Sequence, residues 1–178
     1  VRCAAPVAEV LTRDGAVSGV RLEDGSEIGA PRVILAPGRE GSTWLAREAG
    51  RLGLHTTINP VDIGVRVEVP ASVMEEITRA TYEAKLVYYT RRFEDMVRTF
   101  CMCPHGEVIR EDLGGLYTVN GHSYAHGATG NTNFALLVSK TFTEPFHEPI
   151  AYGRYIAQLA NMLGGEVLVQ RVGDLRQG

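Results

Sequence analysis

No apolar run in this chain approaches the ~20 residues that a membrane-spanning helix needs. Strong charge of either sign is also missing. A net charge of -3 gives no general attraction to nucleic acid or to an anionic membrane. Cysteine is scarce, and its count of three is odd, which argues against a disulfide framework and fits a reducing, cytoplasmic setting. No cleavable signal pattern is visible, and low-complexity tracts and internal repeats are absent. Residue 1 is Val rather than Met, and the chain opens within polar–apolar alternation, which reads as a piece excised from a longer protein.

What is present is an ordinary globular composition, 44% hydrophobic and 22% charged, over 178 residues, enough for one sizeable domain with or without a small annex. The first stretch is a meander. Val7–Thr12 and Ala16–Leu22 alternate around Asp14-Gly15, and Asp24-Gly25 turns the chain again. Arg32 to Ala36 is nearly all apolar, and Val33–Ala36 reads as a strand covered on both faces, closed by Pro37-Gly38-Arg39. Ser42 is placed to cap a helix to about Leu52, stopped by Gly53.

A second region begins near Leu54. Ile63, Val65, Val67 and Val69 alternate with polar residues and glycine, a period-two strand ended by Pro70. Ser72 to Glu75 has the form of a capping box opening a helix to about Ala80. Further strands are predicted at Ala84–Thr90, Met96–Met102, Glu107–Arg110, Gly115–Val119 and Asn133–Ser139, with Asn120-Gly121 as a turn. Thr143–Pro149 is a loop. Tyr152, Ile156, Leu159 and Leu163 mark a helix ended by Gly164-Gly165, and Val167–Val172 reads as one more strand. The expected class is α+β: an antiparallel sheet dominating Val61 to Val138, a few helices, and the N-terminal meander as annex.

Several motifs resemble one group of proteins. The meander, the apolar run and Ala36-Pro37-Gly38 resemble the end of an FAD-binding domain in FAD-dependent oxidoreductases. Asn59–Glu68, Arg98–Met102, Val119–Ser123 and Asn131–Val138 narrow the resemblance to the FAD-dependent dehydrogenases of bacteria and archaea, most of unknown substrate. It covers essentially the whole chain. It implies a discontinuous FAD domain with a substrate-side domain inserted. On that reading residues 1–53 are the tail of the first FAD-domain portion, 54–165 the inserted α+β domain, and 166–178 the start of the return. It also implies FAD in the intact protein, reduced by a substrate or a nicotinamide donor. This chain has no G-x-G-x-x-G loop to cradle pyrophosphate at a helix N-terminus. The chain alone is therefore expected neither to bind FAD nor to catalyse.

The candidate cofactor residues are Ala36, Pro37, Gly38 and Arg39. Glycine lets backbone approach a flat ring closely, and Arg39 can reach a phosphate or ribose or simply be a solvated loop residue. His122, His126 and His147 are the acid–base candidates because imidazole titrates near neutral pH. His122 joins Asn131 and Asn133 of the Gly127–Asn133 segment as candidate substrate contacts; that segment reads as a mobile, hydrogen-bonding loop or a plain connection. Asp62 and Arg66, on one strand face, are read as a pair. Cys101, Cys103 and His105 invite a metal, but two cysteines on one strand with no second pair favour reduced, buried thiols and no metal site. Tyr88, Tyr89, Arg91, Arg92 and Phe93 are read as a strand edge and turn rather than a nucleic-acid site. A non-enzymatic binding or scaffold module sharing the fold is the alternative to an oxidoreductase.

Overall fold

Asp14 and Gly15 both take positive φ, 51° and 77°, as a two-residue hairpin of the I′ type requires. They join β1 (Val7–Arg13) to β2 (Ala16–Leu22), and Asp24-Gly25 returns the chain to the short β3 (Glu27–Gly29), giving an antiparallel sheet in the order β1-β2-β3. The Asp24 carboxylate accepts hydrogen bonds from the Ser26 backbone (2.8 Å) and hydroxyl (2.6 Å), fixing that turn. The computed structural model describes residues 1–143 and 145–177. It divides into two compact units, Val1–Thr57 and Ile58–Gly178.

In the first unit α1 (Ser42–Arg51) docks on β1 through one helix face. Trp44, Glu48 and Arg51 are four and three residues apart and so stand in a row. The Trp44 indole donates to the Ala8 carbonyl at 3.0 Å, and Glu48 accepts the Val10 N–H at 3.0 Å. The Arg51 guanidinium spans the Glu48 carboxylate (2.9 Å) and the Val10 carbonyl (2.5 Å). Glu48 is buried to 2% exposure together with Val10 and Leu22. The Arg51 donors hold its carboxyl below the usual range, against the opposing effect of burial. The helix ends in a Schellman motif: Leu54 N–H reaches the Ala49 carbonyl (2.9 Å), Gly53 N–H that of Gly50 (3.1 Å), and Gly53 has φ 66°.

Two expectations fail in this unit. Ser42 is the first helical residue, and Gly41 holds the cap position without a side-chain bond. Gly is needed there because a Cβ at 41 would overlap Pro37. Val33–Ala36 forms no strand, and Ile34 is 94% exposed. A strand apolar on both faces is stable only between neighbours, and none of the described residues pairs with it.

In the second unit, β4 (Val61–Pro70), β5 (Val87–Tyr89), β6 (Met96–Cys103) and β9 (Asn131–Lys140) form an antiparallel sheet in the order β4-β9-β6-β5. β9 is interior, in register with β4 from Val61↔Lys140 to Pro70↔Asn131. A separate hairpin joins β7 (Glu107–Asp112) and β8 (Tyr117–His122). Helices α2 (Ala71–Ala80), α3 (Pro149–Gly164) and the short α4 (Val172–Leu175) complete it. The architecture is α+β, as expected. The core is thin, built on Ala84, Met102, Cys103, Leu116 and Ala135.

Here four expectations are corrected. The Ser72 capping box is not used, since α2 starts one residue after Pro70 and its first N–H, Ala71, is taken by the Gly130 carbonyl at 2.8 Å. Asn120-Gly121 lies inside β8, paired with Ile109 and Val108; the hairpin turns instead at Gly114 and Gly115, both at positive φ. Val167–Val172 is not a strand, and Val172 opens α4. Of the predicted Ala84–Thr90 strand only Val87–Tyr89 pairs, because the Leu86 N–H turns to the Thr99 hydroxyl (2.8 Å) rather than to a backbone carbonyl. The predicted loop ahead of α3 is present, with Glu144 outside the described residues, as is Gly178 of the proposed 166–178 segment.

Candidate functional site

In the first unit, Leu35, Ala36, Pro37 and Gly41 line an open apolar hollow with Val7 and Trp44. Ala36, Gly38 and Arg39 are exposed, Gly38 has φ 68°, and the Arg39 carbonyl accepts the Ser42 N–H at 3.3 Å. Among the described residues the hollow brings no glycine-rich cradle for a pyrophosphate.

In the second unit the informative feature is a polar seam between the sheet and the β7–β8 hairpin. On β4, Arg66 and Glu68 are two residues apart and so share a face; on β9, Asn131 and Asn133 do the same. Arg66 Nε donates to Asn133 Oδ1 at 2.8 Å, and Arg66 Nη2 donates to the Cys101 carbonyl at 2.6 Å and contacts Cys103 Sγ at 3.3 Å. The guanidinium lies where a Cβ on Gly121 would stand, so any larger residue at 121 would have to displace Arg66 from its partners. Glu68 accepts from Asn131 Nδ2 (3.0 Å) and from the Val108 N–H of β7 (3.1 Å). The Cys101 carbonyl faces Arg66 because β6 carries a bulge there: Phe100 opposes Ala135, Cys103 opposes Asn133, and Cys101 has φ 48°.

This arrangement corrects the Asp62–Arg66 pairing. Four residues along a strand are ~13 Å apart. Asp62 instead pairs with Arg98 (2.6 Å) and accepts from Ser139 (2.5 Å). Among the described residues the hydrogen-bond partners of Arg66 are all neutral. Asn133 is fully buried, and its Nδ2 has no hydrogen-bond partner among the described residues. Asn131 is half-buried on Glu68. His122 is exposed at the end of β8, directly opposite Glu107, with its ring edge-on to Tyr124 at 4.9 Å. The Tyr124 phenol donates to Glu107, which raises its pKa above the ordinary value. So the structure collects Asn131 and Asn133 in one seam and leaves His122 at the hairpin's open end. The Gly127–Gly130 stretch is tied down: Thr129 donates its N–H to the His105 carbonyl (2.8 Å) and its hydroxyl to that of Gly106 (2.5 Å).

Sequence reasoning missed Arg66 as the seam's centre. Its only signal was a long cation set between Val65 and Val67 in an otherwise apolar run. Among the described residues no three His, Cys, Asp or Glu side chains are grouped to hold a metal ion, and no helix is long and apolar enough to cross a membrane.

The seam belongs to a small antiparallel α+β domain, and comparison with known proteins places that domain. Residues 60–178 match the family described as "FAD-dependent protein, C-terminal domain-like". The chain belongs to this family. It is also 28% identical, over 93% of its length, to an uncharacterized protein of Clostridium beijerinckii, of which it covers 34%. The chain thus spans about a third of that relative.

Proposed function

We propose that this chain is part of an FAD-dependent oxidoreductase, a dehydrogenase, and supplies its substrate-side domain. The observation that carries the reading is the family match over residues 60–178. The uncovered apolar run at Ile34–Leu35, ending in Ala36-Pro37-Gly38, supports it, because that run asks for a neighbour that the described residues do not contain. On this reading residues 1–53 belong to the FAD domain, 54–165 to the inserted domain, and 166–178 to the return.

When bound, FAD would take up an electron pair from the substrate or a nicotinamide donor. Ala36, Pro37 and Gly38 would lie against a flat part of it, with Arg39 at its edge. The pyrophosphate would be held by residues beyond this chain. In the second unit His122 and Asn131 would meet the substrate at the hairpin end, and Asn133 would act behind them by fixing Arg66. The protein would work in the cytoplasm.

The test is the visible absorption spectrum of the full-length gene product beside that of this chain. Flavin bands in the full-length protein, bleached by a nicotinamide donor or a substrate, with a colourless and inactive 178-residue chain, are the expected result. A full-length protein that takes up no added FAD would sink the reading and leave a binding or scaffold module.

A further inference from the structure

Arg66 brings a positive charge into the polar seam, where it is half-buried. The groups that meet it are the Asn133 amide oxygen, the Cys101 carbonyl and Cys103 Sγ, and that sulfur itself donates to the Cys101 carbonyl at 3.6 Å. A cation drawn out of water is normally offset by an anion. The nearby carboxylates are engaged elsewhere. Asp62 holds Arg98, Glu68 holds Asn131 and the Val108 N–H, Glu83 holds Lys85 and the Cys101 N–H, and Glu107 holds Tyr124. β5, β6, β8 and β9 contain no acidic residue at all.

A second observation points to the same place. Asn133 Nδ2 is buried and has no hydrogen-bond partner among the described residues, which is costly for a donor. It belongs to the amide that Arg66 Nε already holds by its oxygen, so it lies beside the guanidinium. Nε and Nη2 are used, and among the described residues Nη1 makes no hydrogen bond. Cys101 adds its own cost, a non-glycine residue at φ 48°, and strain of that kind gathers at ligand sites. We infer that Arg66 and Asn133 together hold the carboxylate of a small organic acid. The guanidinium supplies the charge and a planar fork that suits a carboxylate, and Asn133 Nδ2 supplies a further N–H. One guanidinium balances a carboxylate charge for charge, whereas a phosphate dianion would be left half compensated. The exposed part of Arg66 is the way in. This inference concerns binding and does not depend on the oxidoreductase reading.

Calorimetric titration of the full-length gene product with sodium formate, at ionic strength held constant with chloride, tests it. The wild type should bind formate saturably. Asn133→Asp keeps the acceptor for Nε and sets the chain's own carboxylate on the guanidinium, so it should weaken formate about tenfold or more. Arg66→Met should abolish binding, and stands in if circular dichroism shows the aspartate variant misfolded. No formate binding by the wild type, binding that survives the substitution, or tighter binding of inorganic phosphate overturns the inference.

Discussion

Arg66 and Asn133, on neighbouring strands, are joined by one hydrogen bond of 2.8 Å, and that bond holds the guanidinium in the gap left by Gly121. The two residues are not directly opposed. Arg66 faces Ala135, and Asn133 faces Glu68, so the long side chain leans along the strand to its diagonal neighbour.

Gly121→Ala would push its methyl into that guanidinium. A loss of about 1–3 kcal/mol is expected, read from urea denaturation of the full-length protein. Arg66→Met should itself cost about 2 kcal/mol by unpairing Asn133 and the Cys101 carbonyl. In the Arg66→Met background the alanine at 121 should cost much less, because the clash is gone. Simple additivity of the two costs would mean that Gly121 serves something other than Arg66.

Glu48 makes stability depend on pH at the acid end. Its carboxyl is depressed below 4.5, chiefly by hydrogen bonding to Arg51. A depressed carboxyl contributes stability above its unfolded pKa and loses it as the pH falls through the folded value. Glu48→Gln should therefore flatten the fall in unfolding midpoint as the pH drops below the ordinary carboxylate range. It should also weaken the first unit at neutral pH. A variant whose acid limb matches the wild type would contradict the argument.

At the basic end the Tyr124 phenol keeps its proton above 10.0 because of its hydrogen bond to Glu107. A raised folded pKa favours the fold below the unfolded value, and the gain vanishes as the pH climbs through the folded one. The phenolate titration, taken as wild type minus Tyr124→Phe, should move down when Glu107 is replaced by Gln. No movement would show that Glu107 does not set it.

Gly53→Ala should cost about 1 kcal/mol. Nothing lies within 4 Å of an added Cβ, so the whole cost comes from φ 66° in the Schellman motif. Thermal melts of the chain report it, and Gly50→Ala, helical and equally open, is the control expected to be neutral or stabilising.

Where local chemistry decided the outcome, the sequence was readable. Asp14-Gly15 and Gly53 need positive φ whatever surrounds them, and the alternation Ile63–Val69 could only be a strand. The readings failed where a partner distant in sequence decided. Asn120-Gly121 looks like a turn, but its glycine makes room for Arg66 from β4. The Ser72 cap was pre-empted by the Gly130 carbonyl. The apolar Val33–Ala36 run promised a buried strand, and strands are made by neighbours. The candidate site shows the same divide: Asn131 and Asn133 stood out by type, whereas Arg66 became visible only once β6 had bulged to aim the Cys101 carbonyl at it.

The interior position of β9 has a consequence for how the chain is made. Among the described residues β4 pairs with no other strand than β9, and its residues meet theirs 61 positions later at Pro70 and 79 later at Val61. On the ribosome β4 emerges long before β9 has been translated, with Ile63, Val65, Val67 and Val69 lacking their strand partner throughout. At ~5–20 residues per second that wait lasts several seconds, so the sheet of the second unit closes only once nearly all of its strands have been made.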